Sequence, residues 1–272
     1  MNKKQIPDYL SINKNTWNNK TAYHVNSGFY NMQAFLSGNT SLNSIELELL
    51  GDVSQKSILH LQCHFGQDSI SLARMGASVT GVDLSDVAIA KATELAVTCK
   101  AGASFICCDI YSLPNHLNQQ FDMVFTSYGT IGWLPDIDKW ANIVSQFLKP
   151  GGTFVFAEFH PVVWMFNNDF NEIAYRYFKS EPIIEMESGT YADRDANIAT
   201  KSITWNHGLG EVVSSLLKHG LSLQCLQEFD YSPYDCFNHT VEVAPQKYRI
   251  RNLSDKIPMV YALKAIKTSS GT

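Results

Sequence analysis

The chain has 272 residues, of which 45% are hydrophobic and 17% charged, which is typical of a globular protein with a sizeable buried core. Its net charge is −5 and it has no basic stripe, which argues against a nucleic-acid partner. Residues 1–20 are polar, and no run of about 18 apolar residues is present. We therefore expect neither a signal peptide nor a membrane span, but a cytoplasmic protein.

Cysteine and histidine spacing gives no support for a metal site or for disulfides. The six cysteines are scattered and include no CxxC pair: Cys63, Cys99, Cys107, Cys108, Cys225 and Cys236. We expect buried free thiols in a reducing compartment, and the side chains of Cys107 and Cys108 should point to opposite faces of a strand. His60 and His64 are four residues apart, but they fall on a strand end and a turn rather than on a helix, so we expect no bound metal.

Residues 1–50 are polar and aromatic, and their helical pattern ends at Gly51. We predict two or three short helices here, forming a cap on a domain that spans residues 51–272. From Ser57 onward, apolar strands alternate with amphipathic helices, and Ser85 is a good N-cap for one of these helices. This alternation predicts a doubly wound, Rossmann-like sheet of seven mostly parallel strands.

Residues 161–204 interrupt the alternation and are predicted to be an insertion that covers the substrate. The segment VVWMFNNDFNEIAYRYF is compatible with either a helix or a loop. The segment that follows, IIEMESGTYADRDANIATKSITW, is typical of an antiparallel hairpin with Gly189 near its turn. A further helix and two strands complete the predicted sheet.

In a doubly wound sheet, ligands bind beyond the carboxyl ends of the strands. The first strand is followed by a loop that reads Gln62-Cys63-His64-Phe65-Gly66, where a dinucleotide site would have GxGxxG. Only the last glycine is present. The loop is therefore a poor pyrophosphate site, although a ligand with a single small carboxylate demands less of it.

Two acids follow the next two strands. Asp83 lies 17 residues after Gly66, close to the roughly 20 expected for an acid that binds ribose hydroxyls. The alternative role of Asp83 is helix capping, for which Ser85 is better suited. Asp109 could accept from an adenine amino group while Ile110 covers the ring face, or it could be a solvated strand-end acid.

Two later strand ends carry candidate substrate residues. The segment TSYGTIGW would place Tyr128 and Trp133 in the wall of a pocket, or it could be a loop held by core aromatics. His160, in EFHP, could act as a base or bind substrate, or it could be a structural histidine.

The segments ILHLQCHFG, GVDLS, CCDI, FDMVFTSYG and LKPGG occur in this order and spacing. Together they resemble the class I S-adenosylmethionine-dependent methyltransferases, of the small-molecule type with a helical N-terminal cap. The resemblance covers about residues 57–160 and, more weakly, 205–267. LKPGG at 148–152 corresponds to the turn between the fourth helix and the fifth strand.

By position, the resemblance implies cofactor contacts at Gln62, Cys63, His64, Gly66, Asp83, Leu84, Asp109, Ile110, Thr126 and Ser127. The chain departs from the family at the loop, because His60 stands where an acid is usual and Gln62 and His64 replace two glycines. We expect the Gln62 amide and the helix start at Gln67 and Asp68 to supply the lost hydrogen bonds.

The resemblance implies an S-adenosylmethionine-dependent methyltransferase acting on a small-molecule acceptor, with the methylated atom and the oligomeric state left open. Candidate catalytic residues are His160 and His207, and Trp205 and Glu211 would face the acceptor with them. Candidate substrate residues are Trp17, Tyr30, Tyr128, Trp133 and Trp205, and Tyr23 is a further lid candidate. Two alternatives remain: a nicotinamide-dependent oxidoreductase, disfavoured by the missing glycines, and a non-catalytic protein of the same fold that binds an adenosyl ligand.

Overall fold

The computed structural model describes residues 8–268. The helices are α1 (Tyr9–Asn26), α2 (Met32–Leu36), α3 (Ser44–Leu50), α4 (Gln67–Arg74), α5 (Asp86–Cys99), α6 (Ile137–Phe147) and α7 (Leu209–Lys218). The strands are β1 (Ser57–Leu61), β2 (Ser78–Asp83), β3 (Ala103–Cys107), β4 (Phe121–Ser127), β5 (Leu148–Phe159), β6 (Ile183–Ser188), β7 (Ala199–Thr204), β8 (Leu221–Phe229), β9 (Thr240–Ala244), β10 (Lys247–Ile250) and β11 (Val260–Lys267). Short 3-10 turns occupy Ile110–Asn115, Ile131–Trp133 and Val163–Met165.

Seven strands form one sheet in the order β3-β2-β1-β4-β5-β11-β8. Strand β11 is antiparallel to both of its neighbours, and the pairings among β1 to β5 are parallel. This confirms the predicted seven-stranded, mostly parallel, doubly wound sheet. The strand order reverses between β1 and β4, so the loops after these two strands flank the position where such sheets bind ligands.

Apolar layers cover both faces of the sheet. On one face, α6 inserts the fully buried Trp140, whose ring centroid lies 5.6 Å from that of Phe154 and 5.4 Å from that of Phe156. On the other face, α3 packs Leu49 and Leu50 against β5 and β11. Burial on both faces explains why the strands are almost continuously apolar.

The N-terminal segment differs from the prediction of short helices, because α1 alone has 18 residues. Its buried residues are polar, so it shows no apolar stripe: Asn13, Thr16, Lys20, Thr21 and His24. The Asn13 side chain donates to the Ile203 carbonyl (2.8 Å) and accepts from the Ile203 amide (2.9 Å). Lys20, only 5% exposed, pairs with Glu187 at 2.9 Å. Helix α1 is therefore joined to the hairpin of β6 and β7.

The insertion is partly as predicted. Strands β6 and β7 form an antiparallel hairpin, and Gly189 follows β6 in the left-handed region (φ +72°). The segment before the hairpin is mostly loop, with one 3-10 turn at Val163–Met165. A further hairpin, formed by β9 and β10 between β8 and β11, was not predicted.

All six cysteines are free, and Cys63 and Cys108 are buried. Cys107 is exposed, contrary to the expectation of buried thiols, because β3 is an edge strand of the sheet. Within residues 8–268, no three metal-ligating side chains come together, and no helix combines the length and apolarity needed to cross a bilayer.

Candidate functional site

A cavity of about 1580 Å³ lies beyond the carboxyl ends of β1 to β5. Helix α1 and the hairpin of β6 and β7 contribute its outer walls. Nine of the ten predicted cofactor residues line it: Gln62, Cys63, His64, Gly66, Asp83, Leu84, Asp109, Ile110 and Ser127. Six of the predicted substrate and catalytic residues also line it: Trp17, Tyr30, Tyr128, Trp133, Trp205 and His207.

The backbone of the loop after β1 keeps the path that glycines would give it. Gln62 has φ +56°, His64 has φ +51° and Gly66 has φ +81°, so all three are left-handed. Residues with a side chain adopt this conformation at a cost of about 1–2 kcal/mol each. The loop has therefore lost two glycines but not the turn that glycines favour.

Gly66 is retained for a steric reason. A Cβ atom placed on it would lie 2.8 Å from the Phe105 ring and 2.9 Å from the Ala92 Cβ. Both neighbours belong to elements that pack beneath the loop, so neither can move freely.

We expect Gly66→Ala to lower the free energy of unfolding by about 1–3 kcal/mol, through overpacking and the positive φ. Urea denaturation measures the change. Gly102→Ala is the matched control, because a Cβ there has no neighbour within 4 Å, and we expect a change within about 0.5 kcal/mol. Equal effects from the two substitutions would contradict this steric explanation.

Asp83 joins the ends of β1 and β2. Its carboxylate accepts from the His64 amide (2.8 Å) and from the Ser85 amide (2.8 Å). Burial raises the pKa of Asp83, and the amide hydrogen bonds oppose that shift. Asp109 follows the neighbouring β3, and its pKa is also raised by burial. Two acids thus line the cavity side by side, and each has lone pairs left for a ligand.

His60 does not supply the charge of the acid that it replaces. Its Nδ1 lies 2.8 Å from the Ser69 Oγ, and its ring packs on Phe125. Burial lowers the pKa of His60 to about 3, so the side chain is neutral near pH 7. Position 60, near the end of β1, therefore carries no charge.

His64 contacts helix α1 of the N-terminal cap. Its Nε2 lies 2.9 Å from Nδ1 of His24 on α1. Burial lowers the pKa of His64 to about 3 and that of His24 to about 2. The sequence analysis did not single out His24. One sequence pattern could have identified His24. The polar residues Asn13, Thr16, Lys20 and His24 recur at helical spacing and share the buried face of α1.

Glu158, near the end of β5, was also missed. Its carboxylate accepts from the amides of Thr130 (2.7 Å), Ile131 (3.2 Å) and Phe159 (2.7 Å). It also accepts from the Thr130 hydroxyl (2.8 Å) and the Gly129 amide. Burial raises the pKa of Glu158, and the donors of Gly129, Thr130 and Phe159 oppose that shift. The carboxylate is thus committed to holding the loop after β4.

The loop after β4 in turn positions groups on both sides of the cavity. The Thr130 carbonyl accepts from the Gln62 Nε2 at 2.7 Å. The Gly129 carbonyl accepts from the Trp133 Nε1 at 2.8 Å. Glu158 therefore fixes, through this loop, a side chain of the loop after β1 and an aromatic wall of the cavity.

Aromatic side chains line the cavity in several contacting groups. The Trp17 ring centroid lies 5.2 Å from that of Trp133 and 5.2 Å from that of His64. The Tyr30 hydroxyl bonds to the hydroxyl of Tyr191, and the Tyr128 hydroxyl donates to Glu46 at 2.8 Å. Trp205 packs edge-on against Tyr9 at 5.4 Å.

Three residues named in the sequence analysis lie outside the cavity lining. Thr126 lies outside the cavity lining, because its hydroxyl donates to the Leu61 carbonyl (3.0 Å) between β4 and β1. His160 also lies outside: its Nε2 is 2.9 Å from a Glu228 oxygen, and its Nδ1 accepts from the Val162 amide. The Tyr23 hydroxyl, outside the lining as well, donates to the Asn197 carbonyl (3.3 Å).

His207 lines the cavity, but both of its ring nitrogens are engaged. Nδ1 lies 3.1 Å from Oε2 of Glu211, and Nε2 lies 2.8 Å from the Leu134 carbonyl oxygen. The side chain is 0% exposed. Both ring nitrogens of His207 therefore face protein oxygens at the cavity wall.

Comparison with known proteins identifies the class. Residues 58–152 match a family model described as "Methyltransferase domain". A solved S-adenosylmethionine-dependent methyltransferase from Mesorhizobium loti superposes with a TM-score of 0.57 at 21% identity, covering 85% of this chain and 99% of that one. The fold is thus that of the class I S-adenosylmethionine-dependent methyltransferases. The match to the methyltransferase family model spans residues 58–152.

Two curated proteins are similar over part of the chain. An uncharacterized methyltransferase from Synechocystis is 30% identical over 133 residues, which is 48% of this chain and 60% of that protein. A ubiquinone biosynthesis O-methyltransferase from Coxiella burnetii is 32% identical over 102 residues, or 38% of this chain and 43% of that protein. The similarity thus spans less than two thirds of either relative.

Proposed function

We propose that the protein is an S-adenosylmethionine-dependent methyltransferase that acts on a small-molecule acceptor. The observation that carries the proposal is the row formed by the left-handed loop 62–66, Asp83 and Asp109 along one side of a large cavity. It follows the ends of β1, β2 and β3 within the methyltransferase domain. The names of the similar proteins support the same activity.

The residues present suit an adenosyl ligand. Asp83 and Asp109 would accept from the ribose hydroxyls and the adenine amino group, while the buried Ile110 covers the ring. Among residues 8–268, the Gln62 Oε1 and the His64 Nδ1 are buried without a hydrogen-bond partner. A buried polar atom without a partner is costly, so a ligand that binds these atoms gains affinity.

Bound there, S-adenosylmethionine would supply an already activated methyl group. The chain's own task is then to hold the acceptor in line and to exclude water. Trp17, Trp133 and Trp205 are suited to both, because they line the outer part of the cavity as rigid aromatic surfaces. Since His160 lies outside the cavity lining and both ring nitrogens of His207 face protein acceptors, we assign the side chains to positioning rather than to removal of a proton.

Calorimetry with S-adenosylhomocysteine and with NAD tests the proposal. We expect micromolar or tighter binding of the former and none of NAD. Binding of NAD alone would favour the oxidoreductase alternative. Turnover is then assayed as formation of S-adenosylhomocysteine from S-adenosylmethionine across a panel of small hydroxyl and amine acceptors. Cofactor binding without turnover on any acceptor would favour the non-catalytic alternative.

A further inference from the structure

We propose that Asp68 holds the ammonium group of the methionine part of the cofactor, in place of the acid that the family has at position 60. The inference rests on the proposed function and adds a residue to that site. It concerns one charged group of the ligand, so it is separable from binding of the adenosine part.

Asp68 lies where the methionine part is expected. It is the second residue of α4, directly after the loop that starts at Gln62, and it lines the cavity. Its Oδ1 accepts from the Ser41 hydroxyl (2.6 Å), and its Oδ2 accepts from the Ser127 hydroxyl (3.2 Å). Ser127 ends β4, which faces β1 across the point where the strand order reverses. Two acceptor positions of the carboxylate remain for a ligand.

A second acid, Glu46, lies close enough to Asp68 for their charges to interact. None of the ion pairs in residues 8–268 includes Asp68 or the nearby Glu46. Burial and the charge of Asp68 raise the pKa of Glu46, and burial raises that of Asp68. A ligand cation beside Asp68 would offset both the burial and the repulsion.

The neighbouring groups leave this role to Asp68. His60 is neutral, Glu158 is saturated by five donors, and Asp83 is bound to two amides on the ribose side. The Gln62 Oε1, which is buried and lacks a partner within the described chain, is a second acceptor on the same cavity wall. An ammonium group has three donors and no acceptor, so acceptor groups of this kind fit it.

A helix start gives Asp68 a second possible role. A carboxylate in the first turn of a helix stabilises the helix dipole by about 0.3–1 kcal/mol without any ligand. Asp138 is the matched control, because it is the second residue of α6, lies in the first turn and is outside the cavity lining. Asp68→Asn and Asp138→Asn therefore change the same helix position, one inside the site and one outside.

The experiment compares two ligands by calorimetry: S-adenosylhomocysteine, and 5′-S-(3-carboxypropyl)-5′-thioadenosine, which is the same molecule without its amino group. We expect the wild-type protein to prefer S-adenosylhomocysteine at least about tenfold, as for a charge-assisted hydrogen bond. Asp68→Asn should abolish that preference by weakening S-adenosylhomocysteine alone. Asp138→Asn should leave both affinities unchanged.

Each other result has a definite meaning. Equal affinity of the wild-type protein for the two ligands would overturn the inference, even if Asp68→Asn does not fold. Unchanged binding by a folded Asp68→Asn variant, or equal weakening of both ligands, would also overturn it and leave the proposed function standing. Failure of the wild-type protein to bind either ligand would instead remove the proposed function and the inference with it.

Discussion

Asp83→Ala is expected to weaken binding of S-adenosylhomocysteine by about 1–3 kcal/mol, because it removes the acceptor for the ribose hydroxyls inside a buried site. The same loss should apply to 5′-methylthioadenosine, which lacks the amino acid part of the ligand. Calorimetry with both ligands measures the effect. Loss with both ligands would distinguish Asp83 from Asp68, which we expect to act on the ammonium group alone.

Asp83 also stabilises the local backbone, because its carboxylate accepts from the amides of His64 and Ser85. Asp83→Asn is the control, because it keeps one carbonyl oxygen for these donors. We expect its effect on affinity to fall between those of wild type and Asp83→Ala. Unchanged affinity in a folded Asp83→Ala variant would exclude Asp83 from the site.

Glu158→Ala is expected to lower the free energy of unfolding by at least about 3 kcal/mol, since it leaves several buried amides without an acceptor. Gly129, Thr130, Ile131 and Phe159 all donate their amides to this carboxylate. Urea denaturation measures the change. Ligand affinity should also fall in any folded fraction, because the loop after β4 holds Gln62.

Glu158→Gln separates charge from hydrogen bonding. Its side-chain carbonyl can accept from the amides that bond one carboxylate oxygen, while its NH₂ group faces the other donors. We therefore expect a smaller loss of stability than in Glu158→Ala. A loss below about 1 kcal/mol for Glu158→Ala would mean that water or a rearranged loop satisfies these amides.

The sheet was predictable because its pattern is dense and local. Strands β1 to β5 are apolar, and each is followed by a turn or a capped helix, as at Ser85, whose hydroxyl accepts from the Ala88 amide. The loop, Asp83 and Asp109 could be placed at the cavity because strand ends in a parallel sheet face the same side. For such residues, their position relative to the end of a strand is enough to predict on which edge of the sheet they lie.

The remaining parts depend on contacts between distant segments. His160 follows β5 and its amide donates to the Met259 carbonyl, but its Nε2 lies 2.9 Å from an oxygen of Glu228 on β8, a strand distant in sequence. Glu158, two residues earlier, is the acid that faces the cavity. The length of helix α1 was not predicted, because this helix buries polar rather than apolar side chains. Their partners on β7 lie about 190 residues further along the chain, as Ile203 does from Asn13. No local pattern identifies such partners.

The separation in sequence between α1 and β7 constrains the order in which their contacts form during folding. Asn13 can form its two hydrogen bonds with Ile203 only after the chain has been synthesised through β7. Contacts so distant in sequence form late, because a long loop must close before they contribute stability. On a ribosome, α1 leaves the exit tunnel before the hairpin of β6 and β7, so its contacts with the hairpin form only after the hairpin has emerged. Strands β1 to β5 and the loop 62–66 precede the hairpin in the chain, so they can assemble while the outer wall formed by α1 and the hairpin is still absent.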